Sequence, residues 1–239
     1  FIMQHNSYLA PDSLRYYLEN LSRFEKWLSL NHFQILDVTP DNLRQYIIYL
    51  GLTGIKNVSI HTYYRAVKIF YSWLYQEGYI DVDITQRIKL PKDDSEIVIP
   101  LTKDEVAAID YYIINSELAL RNCCIFHLML DCGLRRQEVI NLTSDCIRKN
   151  TLTIRNSKNN KSRIVLLPDF LRLNINNYLG NRTGIVFLDR YNKDPITIST
   201  IKKLFTNIKN LPGMKRVHAH LLRHTFATSY LYYGGNMEM

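Results

Sequence analysis

The sequence predicts a mainly α-helical protein with one small β-hairpin, built as a helical bundle followed by a mixed α+β domain. Three observations support this fold class. Apolar residues recur at helical spacing through the first third of the chain. Alternation typical of strands occurs within 151–167, on both sides of a polar turn. Between these regions, segment 89–100 contains two prolines and no amphipathic period, which indicates an interdomain linker.

Four short elements account for the predicted first domain, residues 1–88. An apolar stripe from Leu14 to Leu28 predicts the first helix. Thr39 as N-cap and Pro40 at the first helical position begin a second helix, which ends near Leu50. A third helix covers about 57–78, and a short helix or turn covers 83–88. Helices joined by such short loops form a small bundle.

The predicted second domain, 101–239, begins at a helix whose Thr102 and Glu105 are spaced as a capping box. The polar run 156–161 separates two short alternating segments and predicts a β-hairpin with a basic tip. The other predicted elements are helices over 116–131, 135–142, 169–179, 198–208 and 220–233, strands over 151–154 and 163–167, and a short strand over 184–188.

The charge of the chain is unevenly distributed. Residues 1–100 hold 10 Lys and Arg against 11 Asp and Glu, so the whole net charge of +8 arises in the second half. No acidic residue occurs between Pro195 and Met237. Basic stretches of this kind attract polyanions and release counterions when they bind nucleic acid, although a solvated basic face is the plainer interpretation.

Several protein classes lack their signatures in this sequence. There is no phosphate-binding glycine motif, no G-x-S-x-G elbow and no H-E-x-x-H helix, so the sequence predicts no nucleotide cofactor and no metal. Four cysteines without a C-x-x-C pair favour reduced thiols in a cytoplasmic protein. No apolar run is long enough for a membrane span, and no signal peptide is evident.

What remains is a set of cations suited to a phosphodiester: Arg135, Lys158, His220 and Arg223. Two arginine forks can hold non-bridging phosphate oxygens and stabilise a pentavalent transition state. A lysine can protonate a leaving alkoxide, and a histidine can move a proton. His220 and Arg223 are three residues apart, so they share one helix face.

Three segments carry a resemblance to a known family. Segment 131–142, DCGLRRQEVINL, is similar to the first arginine box of the tyrosine recombinases, the phage integrase family. Segment 157–168, SKNNKSRIVLLP, resembles the family's G-K-x-x-K-x-R hairpin. Segment 220–228, HLLRHTFAT, matches its H-x-L-R-H-[ST]-x-A-[ST] box, which is the most specific of the three. The resemblance extends over almost the whole chain.

The resemblance implies a role for each residue. Arg135 and Arg223 would clamp the scissile phosphate, Lys158 would protonate the 5′-hydroxyl leaving group, and His220 would assist proton transfer. Glu138 would support Arg135 structurally. Two alternative assignments stay open. Arg136, adjacent to Arg135, could bind the phosphate in its place, and Lys161, in the same polar run as Lys158, could be the proton donor.

The resemblance also implies a helical core-binding (SAM-like) domain, a catalytic domain, double-stranded DNA carrying a core recombination site as partner, and a homotetramer on DNA in the full protein. No cofactor and no membrane contact are implied. Further candidates for DNA contact lie early in the third helix and beside the hairpin tip: Asn57, Ser59, Thr62, Arg65, Lys68, Lys161 and Arg163.

The family's second His or Trp and its nucleophilic Tyr follow about twenty and thirty residues after the H-x-L-R-H box, beyond Met239. Tyr230, Tyr232 and Tyr233 lie on the same predicted helix as Arg223, and we interpret them as packing residues. The expectation is therefore an integrase of a phage or transposon, represented by a fragment that binds DNA without cleaving it. The alternatives are a DNA-binding regulator without catalysis, a type IB topoisomerase and a metal-dependent transposase.

Overall fold

The computed structural model describes residues 1–5, 9–93, 97–155 and 162–236. The chain divides into two compact units, Phe1–Glu96 and Ile97–Met239, and the boundary lies inside the predicted linker. Each unit has its own apolar core. Within the described ranges, no helix has both the length and the apolar character that crossing a membrane requires.

The first unit is helical, as predicted. Its helices are α1 (Ile2–His5), α2 (Pro11–Leu30), α3 (Pro40–Leu52) and α4 (Asn57–Gln76). Thr39 caps α3 as expected, because its hydroxyl accepts from the backbone N–H of Asn42. Aromatic rings fill the core, where Phe24 packs edge-on against Tyr46 and Tyr71. The short element at 83–88 is a turn, and α1 was not predicted from the sequence.

The predicted linker is attached at both of its described ends. His61 of α4 bonds through Nε2 to the carbonyl oxygen of Pro91 at 2.7 Å, and the Asn57 amide donates to that of Lys92 at 2.9 Å. In the second unit, Arg216 donates to the carbonyl oxygens of Ile99 and Pro100. Side chains from neighbouring helices therefore satisfy backbone groups that a free linker would leave to water.

The second unit contains helices and one hairpin in the predicted order. The elements are α5 (Lys103–Ile114), α6 (Ala119–Leu130), α7 (Arg136–Ile140), a 3₁₀ turn (Ser144–Cys146), β1 (Thr151–Ile154), β2 (Arg163–Leu166), α8 (Asp169–Leu179), α9 (Ile198–Lys209) and α10 (Ala219–Tyr232). The Thr102–Glu105 capping box is present at the start of α5.

The hairpin is confirmed in its strands. β1 and β2 pair antiparallel, with Thr151 opposite Leu166 and Ile154 opposite Arg163. The turn between them, including Lys158 and Lys161, lies outside the described residues. The strand predicted over 184–188 is wrong. Ile185 bridges Thr143 and Leu188 bridges Pro195, so this short segment divides its pairing between two partners and no ladder forms.

Candidate active site

A glycine turn positions the first arginine of the site. Gly133 has φ +63°, and a Cβ at this position would lie 2.4 Å from the ring atom Cδ1 of Phe226. The following residue, Leu134, is buried in the core. Arg135 then takes the extended N-cap conformation at the start of α7. A residue without a side chain is therefore needed for α10 to pack this closely against the turn.

Glu138 is the centre of the arginine cluster. Its carboxylate accepts from the backbone N–H of Arg135 at 2.7 Å and from Arg135 Nη1 at 3.1 Å. Arg163 of β2 donates to both carboxylate oxygens, at 2.7 Å each. The support of Arg135 by Glu138 that the sequence suggested is thus a direct contact. The Glu138 side chain is only 8% exposed, whereas that of Arg135 is 52% exposed.

The ionisation of Glu138 follows from these contacts. Burial by itself raises the pKa of a carboxyl group, but hydrogen bonds and charges from Arg163 and Arg135 lower the pKa of Glu138 to about 2. Glu138 is therefore a fixed anion that holds two guanidinium groups. It leaves the exposed part of Arg135 available for a second anion.

Arg223 reaches the same turn from α10. Its Nη1 donates to the carbonyl oxygen of Gly133, two residues before Arg135. Burial first, and then the positive charges of Arg135 and Arg163, lower the pKa of Arg223. The bond to Gly133 places Arg223 at the turn that leads into Arg135, where the like charges repel each other. Such a concentration of cations is stabilised by an anion held between them.

His220 lies on the exposed first turn of α10, three residues before Arg223. Burial lowers its pKa, as do the positive charges of Arg136, His218, His224 and Arg223. The surroundings thus favour a neutral imidazole, which can accept a proton. His220 and Arg223 lie one turn apart on α10, and Arg223 contacts the turn that leads into Arg135.

The remaining candidates fall in different places. Lys158 and Lys161 lie outside the described residues, so their position relative to the cluster stays a prediction. From the sequence, Arg163 was expected only to contact the DNA backbone, and its pairing with Glu138 was not predicted. Arg163 matches the last residue of the G-K-x-x-K-x-R pattern, and this position could have indicated a role in the site. Arg136 is half-buried, and it lines a small groove together with His218.

The other DNA-contact candidates belong to the first unit. Arg65 and Lys68 are exposed on α4, while Ser59 is half-buried. The Thr62 hydroxyl donates to the carbonyl oxygen of Val58, and the Asn57 amide is engaged with Lys92. No observation tests their contact with DNA, which remains a prediction for all five.

The tyrosines of α10 differ from one another. Tyr230 stacks on Phe226 with ring centroids 6.0 Å apart, in keeping with a packing role. Tyr232 and Tyr233 are 83% and 79% exposed, so the prediction that they pack is wrong. They lie in the last turn of the helix and just after it, where no core element covers them within the described ranges.

Comparison with known proteins identifies the class. A family model described as the phage integrase family matches residues 100–239, and a second, described as the phage integrase N-terminal SAM-like domain, matches residues 3–78. The first match covers more than half of the chain. The chain therefore belongs to the phage integrase family, the tyrosine recombinases. This confirms the family resemblance and the fold class predicted from the sequence.

Individual relatives agree with this assignment. Tyrosine recombinase XerD of Rickettsia prowazekii (strain Madrid E) is 25% identical over 97% of this chain and 82% of that protein. Tyrosine recombinase XerC of Chromobacterium violaceum is 26% identical over 96% of this chain and 78% of that protein.

Solved structures show the same fold. The Tn1549 transposon integrase (residues 82–397), in complex with circular intermediate DNA, has a TM-score of 0.78 and 19% identity, covering 99% of this chain and 86% of that chain. A lambda integrase dimer bound to a COC′ core site has a TM-score of 0.75 and 16% identity, covering 98% and 87%. Xer proteins and integrases both occur among the relatives, so the preference for a mobile-element integrase stays a prediction.

Proposed function

We propose that this chain acts in site-specific DNA recombination, in which DNA strands are cut and rejoined through a 3′-phosphotyrosine. The observation that supports this best is that Arg223 contacts the Gly133 turn, which leads into Arg135. Glu138 fixes Arg135 there through a hydrogen bond to its guanidinium group. An exposed guanidinium group, Arg135, and a half-buried one, Arg223, at the same turn match the non-bridging oxygens of a single phosphodiester.

Each residue then has a chemical task. Arg135 and Arg223 bind the scissile phosphate and stabilise the negative charge of its pentavalent transition state. The hydroxyl oxygen of a nucleophilic tyrosine, which we do not assign to a residue of this chain, bonds to phosphorus as the bond between phosphorus and the 5′ oxygen breaks. Lys158 gives a proton to that leaving oxygen, and His220 moves a proton at the nucleophile or the leaving group.

Rejoining reverses these bonds. The 5′-hydroxyl of a partner strand attacks the phosphotyrosine, and the tyrosine oxygen leaves. One phosphoester bond replaces another at each step, so neither ATP nor a metal ion takes part in the proposed chemistry. Metal-dependent transposition is the contrasting mechanism, and recombination by the full protein that persists in EDTA distinguishes the two.

The proposed partner is double-stranded DNA that carries a core recombination site. Among the relatives in solved structures, XerH is described as bound to its difH substrate and lambda integrase as bound to a core site. For this chain we propose the same kind of ligand, bound by four protomers during strand exchange. The basic second half of the sequence suits such a polyanion.

We assign the nucleophile to none of Tyr230, Tyr232 and Tyr233. All three follow Arg223 by only seven to ten residues, on the same helix or immediately after it. Tyr230 is also held against Phe226. These 239 residues are therefore proposed to bind the scissile phosphate without cleaving the strand.

The test begins with duplexes that the chain selects from a random-sequence library. Each phosphate of a selected duplex is then replaced in turn by an uncharged methylphosphonate, and the dissociation constant is measured. We expect the affinity to fall most, by about tenfold, at one phosphate per bound protomer. A small, even loss at all positions would contradict the proposal and favour a DNA-binding regulator without a phosphate site.

A covalent assay separates binding from cleavage. Nicked duplexes that trap a phosphotyrosine are incubated with the chain and run on a denaturing gel. We expect binding without a covalent adduct. An adduct that disappears in Tyr230→Phe, Tyr232→Phe or Tyr233→Phe would overturn the assignment of the nucleophile. Relaxation of a supercoiled plasmid that lacks any recombination site would favour a topoisomerase instead.

A further inference from the structure

A groove of about 240 Å³ lies beside the arginine cluster in the second unit. Its lining residues come from α7, α9 and the start of α10: Arg136, Lys202, Phe205, Thr206, Lys209, His218 and Ala219. Two of them are sequence neighbours of the site, since Arg136 follows Arg135 and Ala219 precedes His220. The groove therefore adjoins the candidate active site through residues that are consecutive in the sequence.

Helix α9 presents two different polar faces. Its apolar side, formed by Ile201, Leu204, Phe205 and Ile208, is buried in the core. Lys202, Thr206 and Lys209 follow one another at spacings of four and three residues, so they form one exposed stripe that lines the groove. Lys203 is next to Lys202 in the sequence but lines a separate cavity.

The groove and the cavity that Lys203 lines also differ in the charge of their lining residues. Among the residues that the structure describes, no acidic side chain lines the groove with Lys202 and Lys209. The cavity with Lys203 also contains Glu117 and Asp189. Within the described ranges, neither Lys202 nor Lys209 forms an ion pair, whereas Arg216 in the same basic stretch is held by Glu105 at 2.6 Å.

The positive charge of the groove reaches the active-site histidine. Arg136 and His218 both line the groove, and both lower the pKa of His220. An uncompensated positive field of this kind, next to a phosphate-binding cluster, is a place where a polyanion binds with a gain in free energy.

We propose that Arg136, Lys202 and Lys209 form a track for the DNA backbone that leads from the scissile phosphate to the phosphates next to it. Lys202 and Lys209 are separated by seven residues, which is about 10 Å along a helix. A DNA strand carries about three phosphates over that axial distance. Lysines act as point charges on phosphates, so the track positions the strand and does not read its bases.

This inference rests on the proposed function, because it requires that the chain binds DNA. The test compares two variants that each lose two positive charges. Lys202→Gln with Lys209→Gln removes the track, whereas Lys203→Gln with Lys103→Gln removes two exposed lysines that line other cavities. Glutamine preserves helix propensity, so both variants keep the α9 backbone.

The dissociation constant is measured over a range of salt concentrations, on a selected duplex and on a random-sequence duplex. We expect the slope of log K against log salt to become shallower by about 1.8 in the track variant, because two phosphate contacts are lost. The affinity should fall by the same factor on both duplexes. The control variant should keep the slope of the original chain.

Three results would overturn the track. Equal slopes for the two variants would show that Lys202 and Lys209 touch no phosphate. A loss confined to the selected duplex would show base reading instead of backbone contact. If the unmodified chain binds no duplex at all, the proposed function fails together with the track, whereas in the first two cases the proposed function stands.

Discussion

Glu138 and Arg163 are joined by two parallel hydrogen bonds of 2.7 Å, one to each carboxylate oxygen. Glu138 lies on α7 and Arg163 at the beginning of β2, so this pair fixes the hairpin to the helix that Arg135 begins. Paired guanidinium–carboxylate contacts of this geometry are among the stronger polar interactions in proteins. The position of Arg135, the candidate active-site arginine, thus depends on a residue of the hairpin.

Replacing Glu138 by Gln should lower the free energy of unfolding at pH 7 by about 2 kcal/mol, since Arg163 and Arg135 lose their common anion. Urea unfolding measures this change. The folded pKa of about 2 lies below the unfolded value, so the contribution of Glu138 is present above about pH 4.5 and declines as the pH falls towards 2. The difference between wild type and variant should therefore shrink in acid.

The control is Glu117→Gln, which breaks an exposed ion pair with Arg190. Exposed pairs contribute at most about 1 kcal/mol. If both variants lose the same small amount, Glu138 has no special structural role.

Local signals in the sequence account for much of this fold. The N-cap at Thr39, the capping box at Thr102 and the alternation around the hairpin each depend on residues a few positions apart, and all three are present in the structure. The Glu138–Arg163 pair joins residues 25 positions apart, and no local pattern encodes it. The same holds for His61 and Pro91, whose contact ties down the start of the predicted linker.

The candidate site likewise combines residues that local motifs predict with a placement that only the tertiary structure reveals. The family boxes supplied Arg135, His220 and Arg223, and the structure places them together. The separation of Lys202 from Lys203 required the packing of α9, because its helical period alone does not tell which exposed face lies beside α7. Lys158 and Lys161 could be assigned only by resemblance, and their turn lies outside the described residues.

Gly133→Ala should destabilise the second unit by about 2 kcal/mol or more, because the new methyl group meets the Phe226 ring at a positive φ. Thermal unfolding measures the loss. Gly213→Ala is the matched control, since Gly213 also has a positive φ of 77° but open space around it.

A second variant tests whether contact with the Phe226 ring causes the loss of stability in Gly133→Ala. Combining Gly133→Ala with Phe226→Leu should recover part of the lost stability, because the ring that meets the methyl group is removed. If Gly133→Ala and Gly213→Ala cost the same, the close approach of Phe226 has no energetic consequence.

His127 should give the second unit a stability that declines in alkali. Its imidazole bonds to Asp131 at 2.7 Å and to Asp110 at 3.0 Å. Burial opposes the charged form, but the two carboxylates raise the pKa of His127 to about 11. Because this value lies above the unfolded pKa, the contribution is complete below about pH 6.5 and is lost as the pH rises towards 11.

Urea unfolding of His127→Gln between pH 6 and pH 10 tests this. We expect a loss of about 2 kcal/mol at pH 6 that becomes smaller at pH 10. His32→Asn changes an exposed histidine and should show no such trend. A loss for His127→Gln that is constant with pH would mean that packing, and not charge, is what the residue contributes.

The proposed contact between Arg135 and a phosphate can be isolated by a double-variant cycle, in which the arginine and the phosphate are each replaced alone and together. In the original chain, a methylphosphonate at the sensitive position should weaken binding by about tenfold. Arg135→Ala removes one of the two proposed guanidinium contacts, so the same methylphosphonate should then weaken binding by a clearly smaller factor, which the Arg223 contact accounts for. The coupling free energy from the four dissociation constants measures the contact directly.

Arg136→Ala provides the comparison for this cycle, because Arg136 is the neighbouring arginine and faces the groove with Lys202. Its coupling should be strongest at a phosphate beside the sensitive one, and weak at the sensitive phosphate itself. If Arg136 and not Arg135 couples to the sensitive position, the two arginines have exchanged roles and Arg136 clamps the scissile phosphate. Equal coupling of both to every phosphate would instead indicate a diffuse basic surface, on which no arginine has a particular oxygen to hold.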